Sequence, residues 1–292
     1  MDSVSVWQNF IGRLFRFVNP FLTIMTLFFS IRSYLQFLWN SKNQHGVHSP
    51  FVFDLVTKCF YDKSSKPEYA TLKKYRNELL QNKSNIEVTD FGAGSRVFKS
   101  NKRPISKIAQ TAGITPKRAE LLFRIVHYFQ PNAILEIGTS LGLATSALSL
   151  GNPKAKITTL EGCPETARIA QENFQKFQLQ NIQPQVTEFS TYLKNHQPTT
   201  DNRQPTTENY QLIYFDGNHS KEATLQYFEL LLPTITNETV WIFDDIHWST
   251  AMTEAWETIK VHPKVKVTID TFQWGLVFFR SKQEKEHFVI RV

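Results

Sequence analysis

The feature that most narrows what this chain can fold into is an alternation beginning at Pro131, in which short apolar runs end in acidic residues and helical stretches separate them. Ala133 to Ile137 leads into the turn Gly138-Thr139-Ser140-Leu141-Gly142, and a small-residue helix follows from Leu143 to Leu150. Lys156 to Leu160 ends at Glu161, after which Pro164 opens a helix with Ala167, Ala170, Phe174 and Phe177 on one stripe. Further strands are expected at Gln185 to Phe189, at Tyr210 to Phe215 before Asp216, and at Val240 to Phe243 before Asp244-Asp245. Val265 to Phe272 and Gly275 to Arg280 close the series. Such alternation predicts an α/β fold, a mainly parallel sheet with helices on both faces.

In a parallel sheet the strand ends share one edge, and ligands bind in the crevice outside it. Glu136, Glu161, Asp216, Asp244 and Asp245 are therefore expected to border one cleft. A single acid after a strand often only caps the next helix. Recurrence at four of the five parallel strand ends argues for a site. The turn Glu136-x-Gly138-x-x-x-Gly142 departs from the Gly-x-Gly-x-x-Gly spacing of dinucleotide binders, which disfavours a nicotinamide dehydrogenase. Glu161 stands 19 residues past Gly142, where an acid can accept from both hydroxyls of a ribose. Together they describe a pocket for an adenosine-bearing ligand. Asp90-Phe91-Gly92-Ala93-Gly94 looks similar but lacks a following strand with an acid at its end, so it reads as a loop or lid.

Residues 1–104 are expected to form a helical, basic arm and lid ahead of a domain over 105–292. Net charge runs +2 over residues 1–57, +6 over 58–103 and −1 over the rest. A solvated lysine-rich face is the plainer reading of the basic stretch. Two widely spaced cysteines, Cys59 and Cys163, fit a reducing compartment, so the expected location is cytoplasmic. Phe17 to Trp39 holds one charge, Arg32, but its charge-free run from Phe21 to Ile31 is too short to span a bilayer, and no signal-peptide order is present. It reads as a helix packed on the body or lying at a membrane interface. Peripheral membrane contact through residues 17–39 and a homodimer are the macromolecular partners this leaves open. Ser49-Pro50 opens a helix, and Pro116 starts an amphipathic one, with Ala119, Phe123, Val126 and Phe129 in register, that covers the sheet edge or the ligand mouth. Gln197-Pro198-Thr199-Thr200 recurs as Gln204-Pro205-Thr206-Thr207, marking residues 195–209 as a flexible insertion without chemistry.

Leu135-Glu136-Ile137-Gly138-Thr139-Ser140-Leu141-Gly142 resembles the first motif of the class I S-adenosylmethionine-dependent methyltransferases, a likeness that runs from about Pro116 to the C-terminus. Asp216-Gly217-Asn218-His219 is similar to the Asp-Gly-x-His motif of bacterial relatives of the catechol-type O-methyltransferases. The resemblance implies a Rossmann-like, doubly wound, seven-stranded sheet with one antiparallel C-terminal strand, here joined to the N-terminal helical arm. It implies S-adenosylmethionine held by Glu136, Gly138, Thr139, Ser140, Gly142, Glu161, Gly162, Phe189 and Asp216, and Mg²⁺ or a similar cation held by Asp216, Asp244 and Asp245. Catalysis falls to Asp216 and to His219 as base, the acceptor being a hydroxyl of a small molecule, with no nucleic acid involved. Glu188-Phe189 stands where relatives carry Gly-Asp, a departure at the adenine contacts. His247 is read either as an accessory base or ligand, or as a structural residue. At least half of Trp241, Trp248, Trp256 and Trp274 are expected in the core, the others offering a wall for a phenolic ring. Rival readings are an N- or RNA methyltransferase and a non-catalytic protein that binds an adenosine ligand.

Overall fold

The computed structural model describes residues 20–89, 100–196 and 209–292, with side chains from residue 28 onward in the first helix. The Asp90-Phe91-Gly92 turn and nearly all of the proline-bearing insertion lie outside these residues. Helix α1 (Pro20–Asn40) leads to α2 (Pro50–Leu55), which continues as a wider π turn over Val56–Phe60. Ser49 caps α2 by accepting from the backbone N–H of Val52, with Pro50 at the first position as expected. Next come α3 (Glu68–Gln81), the small antiparallel pair β1 (Asn85–Glu87) and β2 (Lys102–Pro104), α4 (Ile105–Thr111) and α5 (Pro116–Phe129).

The alternation read from Pro131 then unfolds as β3 (Ala133–Ile137), α6 (Leu143–Gly151), β4 (Lys156–Glu161), α7 (Pro164–Lys176), β5 (Ile182–Val186), α8 (Phe189–Asn195), β6 (Leu212–Phe215), α9 (Lys221–Leu231), β7 (Val240–Asp244) and α10 (Thr250–Val261). Strands β8 (Val267–Asp270), β9 (Trp274–Phe278) and β10 (Glu286–Val289) complete the chain. The large sheet has the order β10-β8-β9-β7-β6-β3-β4-β5, and only β9 runs against the others. This is the expected doubly wound sheet with one antiparallel strand, enlarged to eight strands because β10 adds beside β8. The expected third strand, Gln185 to Phe189, lies three residues earlier, as the edge strand β5, and Phe189 opens a helix instead.

Alternate residues of each central strand feed two cores. Leu135, Ile137, Ile213, Phe215, Trp241 and Phe243 face α8, α9 and α10. Ile134, Leu212, Tyr214, Val240 and Ile242 face α5 and α6, in one continuous cluster with Val52, Leu55, Tyr75 and Leu79 of the N-terminal helices. Those helices are stitched to α5 by Arg124, whose guanidinium donates to the carbonyls of Cys59 and Phe60 in the π turn and to the Tyr69 hydroxyl.

Helix α1 packs one side on the C-terminal strands. Tyr34 and Phe37 enclose the Phe272 ring at 4.9 and 5.4 Å between centroids, whereas Phe28, Leu35 and Trp39 are exposed, Trp39 at 90%. Beyond the helix, Lys42 donates its N–H to the Val289 carbonyl and forms a parallel bridge with Ile290, while the Arg291 guanidinium reaches the Ser41 hydroxyl. No described helix is long and apolar enough to cross a membrane.

Candidate active site

All the loops that could form a site leave the same edge of the sheet, and they share a mark in the backbone. Ser140, Asn218, Asp245 and Phe272 have positive φ values of 49°, 49°, 54° and 74°, each in the loop after a strand that ends on that edge. Non-glycine residues rarely adopt this conformation, and it clusters where surroundings over-determine a functional loop. Gly138, at φ 107°, is required for another reason: a Cβ there would collide with the backbone of Asp216. That close approach brings the turn after β3 against the start of the loop after β6, where the Asp216 N–H donates to the Ile137 carbonyl at 2.9 Å.

The glycine turn is held from three sides. Glu161 accepts from the backbone N–H of Ser140 at 2.7 Å and from that of Cys163 at 2.9 Å, tying the ends of β3 and β4 together. Burial raises its carboxyl above the ordinary glutamate range, against those hydrogen bonds and a further one from the Gly162 backbone. Gly142 at φ 78° caps α6, and a Cβ there would meet Phe174 and the Tyr75 hydroxyl, each at 2.5 Å. Tyr75 in turn donates to the Leu141 carbonyl at 3.0 Å. A residue of the N-terminal region is thus part of the turn's support, and α4 forms the facing wall of a recess lined by Ile108, Ala112, Ile114, Ser140, Leu143 and Asp216.

Glu136 departs from its expected place on the cleft surface. It is 0% exposed, on the β3 face shared with Ile134, and its Oε2 accepts from the Thr145 and Thr159 hydroxyls, both at 2.5 Å. The Thr139 hydroxyl joins the network through Thr159, also at 2.5 Å. Burial lifts the Glu136 carboxyl to about 8 against the pull of the two threonines. Glu136 therefore braces β3, β4 and α6 from beneath the turn. Phe189 packs its ring edge-on to Tyr227 and limits the space at Gly217, while Glu188 caps α8 through the N–H groups of Ser190 and Thr191. Burial acts to raise the Glu188 carboxyl, but its hydrogen bonds from Thr191 and Ser190 outweigh that and bring it down to about 2.

At the far side of the cleft Asp216, Asp244 and His219 come together. His219 Nε2 lies 3.7 Å from Asp216 Oδ1 and is partly exposed. Burial and the charge of Asp244 push the Asp216 carboxyl up, whereas at Asp244 the effect of burial is outweighed by Arg118 together with Asp216, His219 and the Asp245 N–H, which hold its carboxyl down. Arg118, on the first turn of α5, is the residue the sequence reading passed over. Its guanidinium is ion-paired with Asp244 Oδ1, lies 5.0 Å from the centroid of the Trp274 ring, and has only 11% of its side chain exposed. The same Oδ1 accepts the Asp245 N–H at 2.9 Å. Among the described residues no three His, Cys, Asp or Glu side chains gather so as to hold a metal ion. With a guanidinium paired to one expected ligand, the trio Asp216, Asp244 and Asp245 does not fit the divalent cation that the resemblance implies.

His247 stands apart from this group. Its Nε2 is 2.8 Å from Asp270 Oδ2, its Nδ1 is 3.3 Å from the Thr253 hydroxyl, and its ring stacks on Phe272. Trp241, Trp256 and Trp274 are in the core, with Trp274 under Arg118, and Trp248 alone of the four is exposed.

The architecture and the strand-end site define a class I, Rossmann-like methyltransferase fold. Residues 135–246 match the family model described as a methyltransferase domain. In fold the chain is similar to the SAH-bound Podospora anserina methyltransferase PaMTH1, at 13% identity and a TM-score of 0.54, covering 80% of this chain and 97% of that one. It is also similar to the O-methyltransferase TomG from Streptomyces achromogenes in complex with SAM, at 13% identity and a TM-score of 0.51, covering 74% and 91%. A cofactor-bound protein from MTB aligns over 79% of this chain and 95% of its own, at 16% identity and a TM-score of 0.51. Comparison with curated proteins finds no match.

Proposed function

We propose that the protein transfers the methyl group of S-adenosylmethionine to a hydroxyl oxygen of a small molecule. The observation that carries this reading is the meeting of Asp216 and His219 with the glycine turn: Asp216 lines the recess beside Thr139 and Ser140, and His219 stands 3.7 Å from its carboxylate. The cofactors of PaMTH1 and TomG support the donor, and TomG's activity supports oxygen as acceptor.

In this reading the nucleoside lies against the turn from Gly138 to Gly142, with Glu161 and Gly162 beside the ribose and Phe189 beside the base. Glu161, which already ties the loop N–H groups of Ser140 and Cys163, is the carboxylate that would accept from the ribose. His219 Nε2 takes the acceptor's proton, Asp216 orients the imidazole, and the oxygen attacks the sulfonium methyl in line, releasing the thioether. The protein's contribution is alignment and exclusion of water, because the donor already carries an activated methyl.

Titration calorimetry with S-adenosylhomocysteine, paired with labelled-methyl transfer to a panel of phenols and alcohols, tests the proposal. Asp216→Asn and His219→Ala should lose roughly 10² to 10⁴-fold in turnover, the scale of a lost general base, while the product cofactor still binds. Absence of cofactor binding by the unaltered protein, or full turnover in both variants, overturns it.

A further inference from the structure

The acidic cluster of the cleft contains its own cation. Arg118 leaves the first turn of α5, whose cap Thr115 accepts the Arg118 N–H at 3.4 Å, and its side chain runs inward to Asp244. Trp274 lies beneath the guanidinium, and Tyr214 packs edge-on to Trp274 at 6.0 Å between centroids. Three buried polar atoms of this group, Arg118 Nε, the Tyr214 hydroxyl and Trp274 Nε1, have no hydrogen-bond partner. A buried guanidinium fixed by a carboxylate and an aromatic face is a permanent charge, since arginine does not give up its proton. A second, doubly charged ion brought to Asp244 would meet that charge at contact range, in surroundings where water screens poorly.

We propose that Arg118 is the resident counter-ion of the acceptor site, standing where a divalent metal would otherwise balance Asp216, Asp244 and Asp245, so that this protein works without a metal. It is a positioning residue: it fixes Asp244, and through Asp244 the neighbouring Asp216 that orients His219. A specificity consequence follows for the acceptor. A metal with open positions can grip two adjacent hydroxyls at once, but a guanidinium already committed to a carboxylate cannot. The acceptor class is thus a singly hydroxylated compound as readily as a vicinal diol. The chemical consequence rests on the methyl-transfer reading, whereas the exclusion of metal does not.

The test uses Mn²⁺ as probe, followed by electron paramagnetic resonance on full-length protein with and without S-adenosylhomocysteine. Unaltered protein should show no saturable Mn²⁺ binding, and its activity should survive EDTA. Arg118→Met should open the carboxylates to Mn²⁺, tightening binding on the order of a hundredfold, the scale of one poorly screened charge. Asp244→Asn added to Arg118→Met should abolish that binding. Arg118→Lys keeps the charge and should exclude Mn²⁺ as the unaltered protein does, so it serves if the methionine variant does not fold. Saturable Mn²⁺ binding to the unaltered protein that Asp244→Asn removes overturns the proposal, as does failure of a folded Arg118→Met to bind. Loss of cofactor binding in the unaltered protein would instead overturn the methyl-transfer reading and leave the metal result standing.

Discussion

Glu136 shows what a single buried acid does to the energetics of this fold. Its carboxyl rises to about 8, so between the ordinary glutamate value and that pH the folded chain holds a proton that the unfolded chain has lost. The folded state then binds more protons, and stability falls as pH rises through this window. Glu136→Gln removes the titration while keeping an acceptor for Thr145 and Thr159. Urea unfolding from pH 5 to 8 should give a difference between unaltered protein and variant that changes by up to about 1.4 kcal/mol per pH unit. A flat difference would show that the carboxyl titrates normally. The placement of Glu136 was not legible in strand parity, because β3 is buried on both faces: Glu136 shares one with Ile134, and Leu135 and Ile137 line the other. Asp216 and Asp244 were legible as acids closing apolar runs. Arg118 was not, because its partner lies 126 residues away and nothing local distinguishes an inward arginine from a solvated one. A weak signal existed: Arg118 falls four and seven residues before buried Leu122 and Ile125, on the helix's inner stripe.

At the scale of elements, strands buried on both faces were readable and edge strands were not. β6 and β7 are continuous apolar runs fully buried along their length. β5, with Pro184 at its centre and a half-exposed surface, has neither alternation nor a run to mark its register. β10 is four residues long and half exposed, so its sequence resembles a tail. Yet it carries the contact that fastens α1. Removing residues 286–292 deletes the partner of Lys42 and the Arg291 clasp on Ser41, while the ring contacts of α1 with Phe272 remain. Limited trypsin digestion of that truncation should cut at Arg32 and Lys42 at least several times faster than in the full chain, while the body persists. Equal cutting would mean that the aromatic contacts alone hold the helix.

For the whole molecule, two cores share one sheet, and the N-terminal helices belong to the larger of them. The glycine turn is therefore supported by Tyr75 from the chain's first third and by Phe174 from its middle. A ligand seated there stabilises the folded chain by mass action, about 2.7 kcal/mol at a hundred times its dissociation constant. S-adenosylhomocysteine should raise the unfolding midpoint in a thermal scan in proportion to the logarithm of its concentration, and NAD should not. A shift with NAD and none with S-adenosylhomocysteine would favour the dinucleotide reading that the glycine spacing disfavours.

The clasp between Ser41 and Arg291 spans 250 residues, so one partner is synthesised long before the other. The central sheet can begin to assemble during synthesis, but α1 has no dock until Phe272 is made and no complete one until β10 follows. The Tyr34 and Phe37 side of α1 thus waits unguarded while most of the sheet is made, and a tag placed after Val292 would sit beside the latch as it closes.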